Sequence, residues 1–265
     1  MSEQDRFCVL VVSCDNYSDL WVPFFKLFWR FWGDCPFRVY LLVNEKEISI
    51  PNVHVIRVGK DISWSDNLIS ALTYVNEHYI LMVLDDLFFI DYVSNQNILR
   101  VVDWILQHEP NYVRMKPSPK PDKPYNGIVG IVSKGTIYRT STVMSVWKKE
   151  ILIDLLKPGE TAWEFEIYGT VRSDKYDGFY STWEDLFPVV NGVIKGKWQR
   201  NVVKKLQSLD VEININGRKV MSGSETSMFW FKKQRSRFLN LMPSKYRRKI
   251  KEIVLGDKYT CKISE

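Results

Sequence analysis

Apolar positions along this chain form two kinds of run. Two six-residue blocks, Phe7-Cys8-Val9-Leu10-Val11-Val12 and Tyr79-Ile80-Leu81-Met82-Val83-Leu84, contain no polar residue to place on a solvated face. Blocks of that length suit strands buried on both faces of a parallel sheet. Phe37–Val43 and Val53–Val58 read as further strands. Between them lie helical patterns. One runs from Asp19, a plausible N-cap, through Trp32 to a stop at Gly33. A second is capped by Ser65 or Asp66 and runs to about Glu77, and a third spans Asn95–His108. Strands alternating with helices in this way predict right-handed βαβ units and a parallel sheet.

The second half is less regular. Four prolines between Lys116 and Pro124 exclude helix and central strand, so this stretch is a semi-rigid loop. Gly127–Val132 and Thr136–Arg139 read as strands, Met144–Leu156 as a helix ended by Pro158-Gly159, and Thr161–Arg172 as another helix. Val189–Val193 and Val211–Ile215 read as short strands. From Met228 the pattern changes to aromatics interleaved with Lys and Arg. Ser244–Val254 is then a basic helix, with Tyr246, Ile250, Ile253 and Val254 on one stripe. The expected organisation is an α/β body over residues 1–227 and a basic helical tail over 228–265.

At 265 residues the chain is long enough for one large α/β domain with an appendage. The net charge of +6 is unevenly spread. Residues 195–265 hold 18 Lys/Arg against 6 Asp/Glu, leaving 19 against 25 for the rest. An acidic body with a basic tail points to an anionic surface as the tail's partner. The four cysteines show no CxxC spacing and the three histidines do not pair, which argues against structural zinc. No secretory signal pattern and no apolar span of membrane length is visible, so the expectation is a cytoplasmic protein.

Candidate chemistry collects where strands end, because ligands of open α/β sheets bind beyond the carboxyl ends of the strands. Three clusters fall there: Ser13, Asp15 and Asn16; Trp64 to Asn67, including Asp66; and Asp85-Asp86 directly after the second apolar block. Two adjacent carboxylates make poor core and good ligands for Mg²⁺ or Mn²⁺ on a substrate phosphate. The plainer alternative is that they cap a turn. A further acidic cluster, Glu160-Thr161-Ala162-Trp163-Glu164-Phe165-Glu166, opens the predicted helix. Glu164 and Glu166 are two apart, so only one faces a pocket, where it would suit general-base work. Trp163 offers a flat surface for a sugar. The competing reading is a pair of glutamates that only complement the helix dipole.

The segments VLVVSCDNYSDLW, WSDNLISAL, YILMVLDDLFFI and KPGETAWEFEIYG, within about residues 7–200, resemble those of bacterial GT-A-type glycosyltransferases of surface (capsular or O-antigen) polysaccharide biosynthesis. The resemblance implies a GT-A-like, Rossmann-type, mostly parallel central sheet flanked by helices. It implies nucleotide-sugar contacts at Ser13, Asp15, Asp66, Asn67 and Asp85. Asp85 and Asp86 would bind Mn²⁺ or Mg²⁺ on the diphosphate, Trp163 would meet the acceptor, and Glu164 or Glu166 would deprotonate it. A saccharide or lipid-linked saccharide is the implied acceptor. Many metal-dependent members add a late His ligand, and this chain has no histidine after His108. The basic tail then suits an anionic membrane surface, peripherally on the inner face of the cytoplasmic membrane, and no nucleic-acid partner is expected. Two other readings compete. A nucleotidyltransferase usually has a Gly-rich, basic loop after its first strand, which Ser13–Tyr17 lacks. A non-catalytic, membrane-associated scaffold would carry the same residues as a degenerate site.

Overall fold

A computed structural model describes residues 6–240 and Tyr246. Its first half is β1 (Phe7–Val12), α1 (Ser18–Phe31), β2 (Arg38–Val43), β3 (His54–Arg57), α2 (Trp64–Leu72) and β4 (Tyr79–Leu84). β5 (Leu87–Phe89), α3 (Asn95–His108), β6 (Tyr112–Arg114), β7 (Lys123–Pro124), β8 (Val129–Ile131), β9 (Ser145–Lys148) and α4 (Lys149–Leu155) come after them. Next are α5 (Ala162–Glu164), a π turn (Phe165–Gly169) and α6 (Thr170–Arg172). The described chain closes with β10 (Phe179–Thr182), β11 (Val189–Asn191), β12 (Val193–Ile194), β13 (Lys197–Trp198), α7 (Arg200–Gln207) and α8 (Gly223–Asn240).

The two apolar blocks are the central strands. β1 and β4 pair in parallel along their full length, Phe7 opposite Tyr79 and Val12 opposite Leu84. The sheet runs β3-β2-β1-β4-β9-β6-β10-β8-β7, with β3, β2, β1 and β4 mutually parallel. Successive side chains point to opposite faces, so the strands feed two cores. Val9, Val11, Leu81 and Val83 pack with α1 and α3 on one face. Leu10, Ile80 and Met82 pack with α2 and α4 on the other. Burial on both faces is why these strands needed no alternation in sequence.

Four expectations change. Met144–Leu156 divides into β9 and α4. The strand is antiparallel to both β4 and β6 and fills the gap between them. Val146 enters one core and Trp147 the other, an alternation that a helix cannot deliver. Thr136–Arg139 forms turns in place of a strand. Buried Arg139 holds that backbone, donating from Nε to the Val132 carbonyl at 3.1 Å and from Nη2 to the Tyr176 carbonyl at 2.8 Å. Val211–Ile215 is a loop, because the Val211 N–H turns back to the Leu206 carbonyl at 3.1 Å and closes α7. Thr161–Arg172 is helical but widens into the π turn at its centre.

Two helix starts also move. Ser63 caps α2, accepting from the Asp66 N–H at 3.1 Å. α1 begins at Ser18 without a side-chain cap, and Asp19 in its first turn is occupied by Arg218. The basic helix expected at Ser244–Val254 lies outside the described residues. Among the described residues no helix is long and apolar enough to cross a membrane.

Candidate functional site

The carboxyl ends of β1 and β4 lie side by side, so Ser13 beyond β1 and Asp85-Asp86 beyond β4 meet on one rim. Ser13 donates its hydroxyl to Asp85 Oδ2 and accepts from the buried Trp21 indole N–H at 2.6 Å. This chain of hydrogen bonds holds the Asp85 carboxylate against the end of β1. Asp85 is buried, and Asp86 is half-buried. Burial, and then the neighbouring Asp86 charge, raise the Asp85 carboxyl well above the ordinary carboxylate range. Burial pushes Asp86 up to about 7. Asp86 Oδ1 is buried, with no hydrogen-bond partner among the described residues. Such a group leaves its desolvation uncompensated.

The pair opens on a cavity of about 290 Å³. Ser13, Cys14 and Tyr17 line it from the end of β1, Asp61, Trp64 and Asn67 from the start of α2, and Ala162 from α5. Asn67 is oriented by Asp61, donating from Nδ2 to Oδ1 at 2.7 Å. The charges around the pair include one buried cation that sequence reasoning missed. Arg218 pairs with Asp19 through two nitrogens, at 2.9 and 2.7 Å, and lies over the Tyr17 ring at 4.5 Å. Its charge favours the ionised forms of both Asp85 and Asp86. No spacing in the sequence connects position 218 to position 19.

A second cavity, of about 500 Å³, is lined by Leu87 and Trp163, the residues that follow Asp86 and Ala162 in sequence. Its walls are the antiparallel pair β5–β11, Gln199 and the start of α7, Lys116, the turns at Tyr138 to Val143, Trp163, Glu166, and Phe229 of α8. Trp163 is 72% exposed. Glu166 Oε1 accepts from the Thr142 N–H at 2.9 Å, the Thr142 hydroxyl at 3.1 Å and the Ser141 hydroxyl at 3.1 Å. Oε2 accepts no hydrogen bond among the described residues, leaving one oxygen of a firmly held carboxylate open to the cavity. The π turn begins beside it, and such turns often sit at functional sites.

The remaining residues singled out in the sequence are engaged in local structure. Asp15 accepts from the backbone N–H groups of Asn44, Glu45 and Lys46 at 3.0, 3.0 and 2.9 Å, and so pins the chain leaving β2. Asp66 Oδ2 takes the Ser63 hydroxyl at 2.5 Å and the Gly159 N–H at 2.8 Å, bonds that lower its pKa. Glu164 forms a capping box with Thr161, accepting from that residue's N–H at 2.9 Å and hydroxyl at 3.0 Å. None of these three lines either cavity. Ser13, Asn67, Asp85 and Asp86 are brought together on the first, and Trp163 and Glu166 on the second.

Asp85 and Asp86 are a pair without a third His, Cys, Asp or Glu positioned to complete a metal cluster among the described residues. That set does not suit zinc, which takes three or four protein ligands. It suits Mg²⁺ or Mn²⁺, which take one or two carboxylates and fill the shell with water and phosphate oxygens.

No family model and no curated protein matches the chain in sequence. Solved structures match it in fold. A UTP-bound UGPase from Acinetobacter baumannii has a TM-score of 0.51 at 10% identity, over 85% of this chain and 97% of that one. S. aureus TarS 1-349 in complex with UDP-GlcNAc has a TM-score of 0.43 at 12% identity, over 66% of this chain and 58% of that one. The same protein in complex with UDP gives 0.44 at 14%, over 66% and 60%. The chain thus spans about 60% of the length of the TarS structures. These likenesses are of architecture: the chain folds as a GT-A-like, Rossmann-type α/β sheet flanked by helices.

Proposed function

We propose that this chain is a nucleotide-sugar-dependent glycosyltransferase, with the donor in the cavity at Asp85-Asp86 and the acceptor in the cavity at Glu166. One observation carries the reading. A carboxylate pair with an unsatisfied buried oxygen lines one cavity and a single fixed carboxylate lines another, and the two linings meet in sequence at Asp86–Leu87 and Ala162–Trp163. A donor diphosphate and an acceptor hydroxyl need that pair of environments.

Asp86, with Asp85 beside it, would hold Mn²⁺ or Mg²⁺. Bound there, the cation would offset the negative charge that grows on the departing nucleoside diphosphate. Ser13 and Trp21 keep Asp85 oriented, and Asn67 and Asp61 offer an amide and a carboxylate to the nucleotide. Glu166 Oε2 takes the proton from the acceptor hydroxyl as that oxygen attacks the anomeric carbon. Ser141 and Thr142 hold Oε1 and so aim the open oxygen. Trp163 presents an apolar face to the acceptor sugar. Attack from the cavity opposite the leaving group inverts the anomeric centre. The acceptor is a saccharide or lipid-linked saccharide of a surface polysaccharide. The basic tail places the enzyme peripherally on an anionic membrane.

The test is a thermal-shift screen of UDP, GDP, CDP and ADP with and without Mn²⁺. A ligand that binds only the folded chain raises its apparent stability. The reading expects one nucleotide to stabilise the protein in a Mn²⁺-dependent way, and that shift to vanish in Asp86→Ala. Absence of any nucleotide shift, or its full retention in that variant, overturns the donor assignment.

A further inference from the structure

α8 leaves the body at the rim of the second cavity. Its first turn is fixed there: Glu225 accepts the Ser222 N–H at 2.8 Å on one oxygen and pairs with Lys197 Nζ at 2.5 Å through the other. One turn on, Phe229 forms part of the cavity wall. Its neighbours turn the other way, with Met228 59%, Trp230 54% and Phe231 66% exposed. Successive residues on a helix are about 100° apart, so Phe229 faces the body while 228, 230 and 231 occupy the outer arc. Trp163, also exposed, lies on the same cavity.

An outer arc of three large apolar side chains is unfavourable in water and needs a cover. The sequence of the same helix continues with Lys232, Lys233, Arg235 and Arg237. Residues 228–265 carry eleven Lys/Arg against three Asp/Glu. A second copy of this chain would bring like charges together. A nucleic acid would answer the cations but leave Met228 and Phe231 in water. An anionic lipid surface answers both, taking the apolar side chains at the acyl boundary and the cations at the headgroups.

We infer that α8 is a docking helix that seats Met228, Trp230 and Phe231 in an anionic membrane interface and turns the mouth of the second cavity toward the lipid. Phe229 is then shared between wall and anchor, and a ligand carried in the membrane reaches Glu166 without leaving the surface. What the cavity receives rests on the glycosyl-transfer reading, whereas the docking does not.

The full chain is to be sedimented with vesicles of phosphatidylcholine alone and of phosphatidylcholine with phosphatidylglycerol, without nucleotide. Binding is expected only to the anionic vesicles, weakening as salt rises. The double variant W230S/F231S should bind them about tenfold more weakly. Its melting temperature without vesicles or nucleotide should match that of the unmodified chain, which shows that it folds. Brominated lipids should quench tryptophan fluorescence, and Trp163→Phe should shrink the quenched part. Equal binding to uncharged vesicles overturns the inference, as does undiminished binding by the double variant. So does displacement from vesicles by an oligonucleotide at matched phosphate concentration. Quenching unaffected by Trp163→Phe overturns the orientation. Since the vesicle assay contains no nucleotide, its failure leaves the donor site standing, and a failed nucleotide screen leaves the docking standing.

Discussion

The carboxylates at the two cavities are held in opposite ways. Asp85 and Asp86 sit where burial removes water and few donors replace it, and one Asp86 oxygen has no partner. Glu166 has three donors on a single oxygen and an open second one. The first arrangement stores a demand for positive charge that a proton or a cation must meet. The second is already satisfied and only aims. Under the proposed reading, the site that would recruit a cation differs from the site that would move a proton by which groups the fold leaves unpaired.

The sharpest way to break the comparison is Asp86→Ala. It should lower glycosyl transfer on the order of a thousandfold, since a cation on the leaving group contributes several kcal/mol. The same change should leave the metal-free protein as stable as before or more so, because a desolvated carboxylate is gone. Turnover with a matched donor and acceptor, and a melting curve in EDTA, measure the two halves of this expectation. Glu166→Gln comes next. It keeps an oxygen for Ser141 and Thr142 but cannot accept the acceptor's proton, so kcat should fall roughly a hundredfold or more while nucleotide binding is unaltered. Loss of nucleotide binding there would merge the two sites into one.

A smaller effect should appear as a pH dependence of the metal-free chain. Asp85 and Asp86 titrate above the ordinary range when folded. A raised folded pKa favours the protonated folded state, so this contribution is fully present below pH about 4, the unfolded value. It is lost as pH rises through about 7, where Asp86 ionises. Melting temperature in EDTA should therefore decline from pH 5 to 8, less so in Asp86→Asn, whose side chain does not ionise. The smallest change is expected for Glu164→Ala. Losing its capping box should cost about 1 kcal/mol in chemical denaturation and leave transfer nearly unchanged. If Glu164→Ala cost as much activity as Glu166→Gln, the assignment of the open carboxylate would fail.

The Asp85-Asp86 side was the more legible half. β1 and β4 announce themselves because strands buried on both faces need unbroken apolar runs, and Asp85-Asp86 is conspicuous for ending one. The Glu166 side was harder for identifiable reasons. Met144–Leu156 has apolar residues at 144, 146, 147, 151, 152, 153, 155 and 156, close to a helical pattern, and β9 passes into α4 with no turn residue between them. Arg139 organises turns by donating to backbone carbonyls, an interaction that leaves no periodicity. Glu164 and Glu166 were indistinguishable until the capping box claimed one and the turn at Ser141–Thr142 the other. Arg218 reaches Asp19 across 199 positions, a distance over which local pattern carries no signal.

β9 pairs with β4 antiparallel, Ser145 opposite Met82. The chain therefore enters β9 on the same rim at which β4 delivers Asp85-Asp86. Its neighbours β4 and β6 both end at that rim, and this strand begins there. Residues 136–144 arrive at the site ahead of a strand whose register is already secured on both sides by β4 and β6. That loop is itself mostly buried, and through Ser141 and Thr142 it holds Glu166, so its length is tied to the open carboxylate as closely as to the ladder. One crossover thus carries two duties, seating a strand beside the Asp85-Asp86 rim and fixing the direction of Glu166.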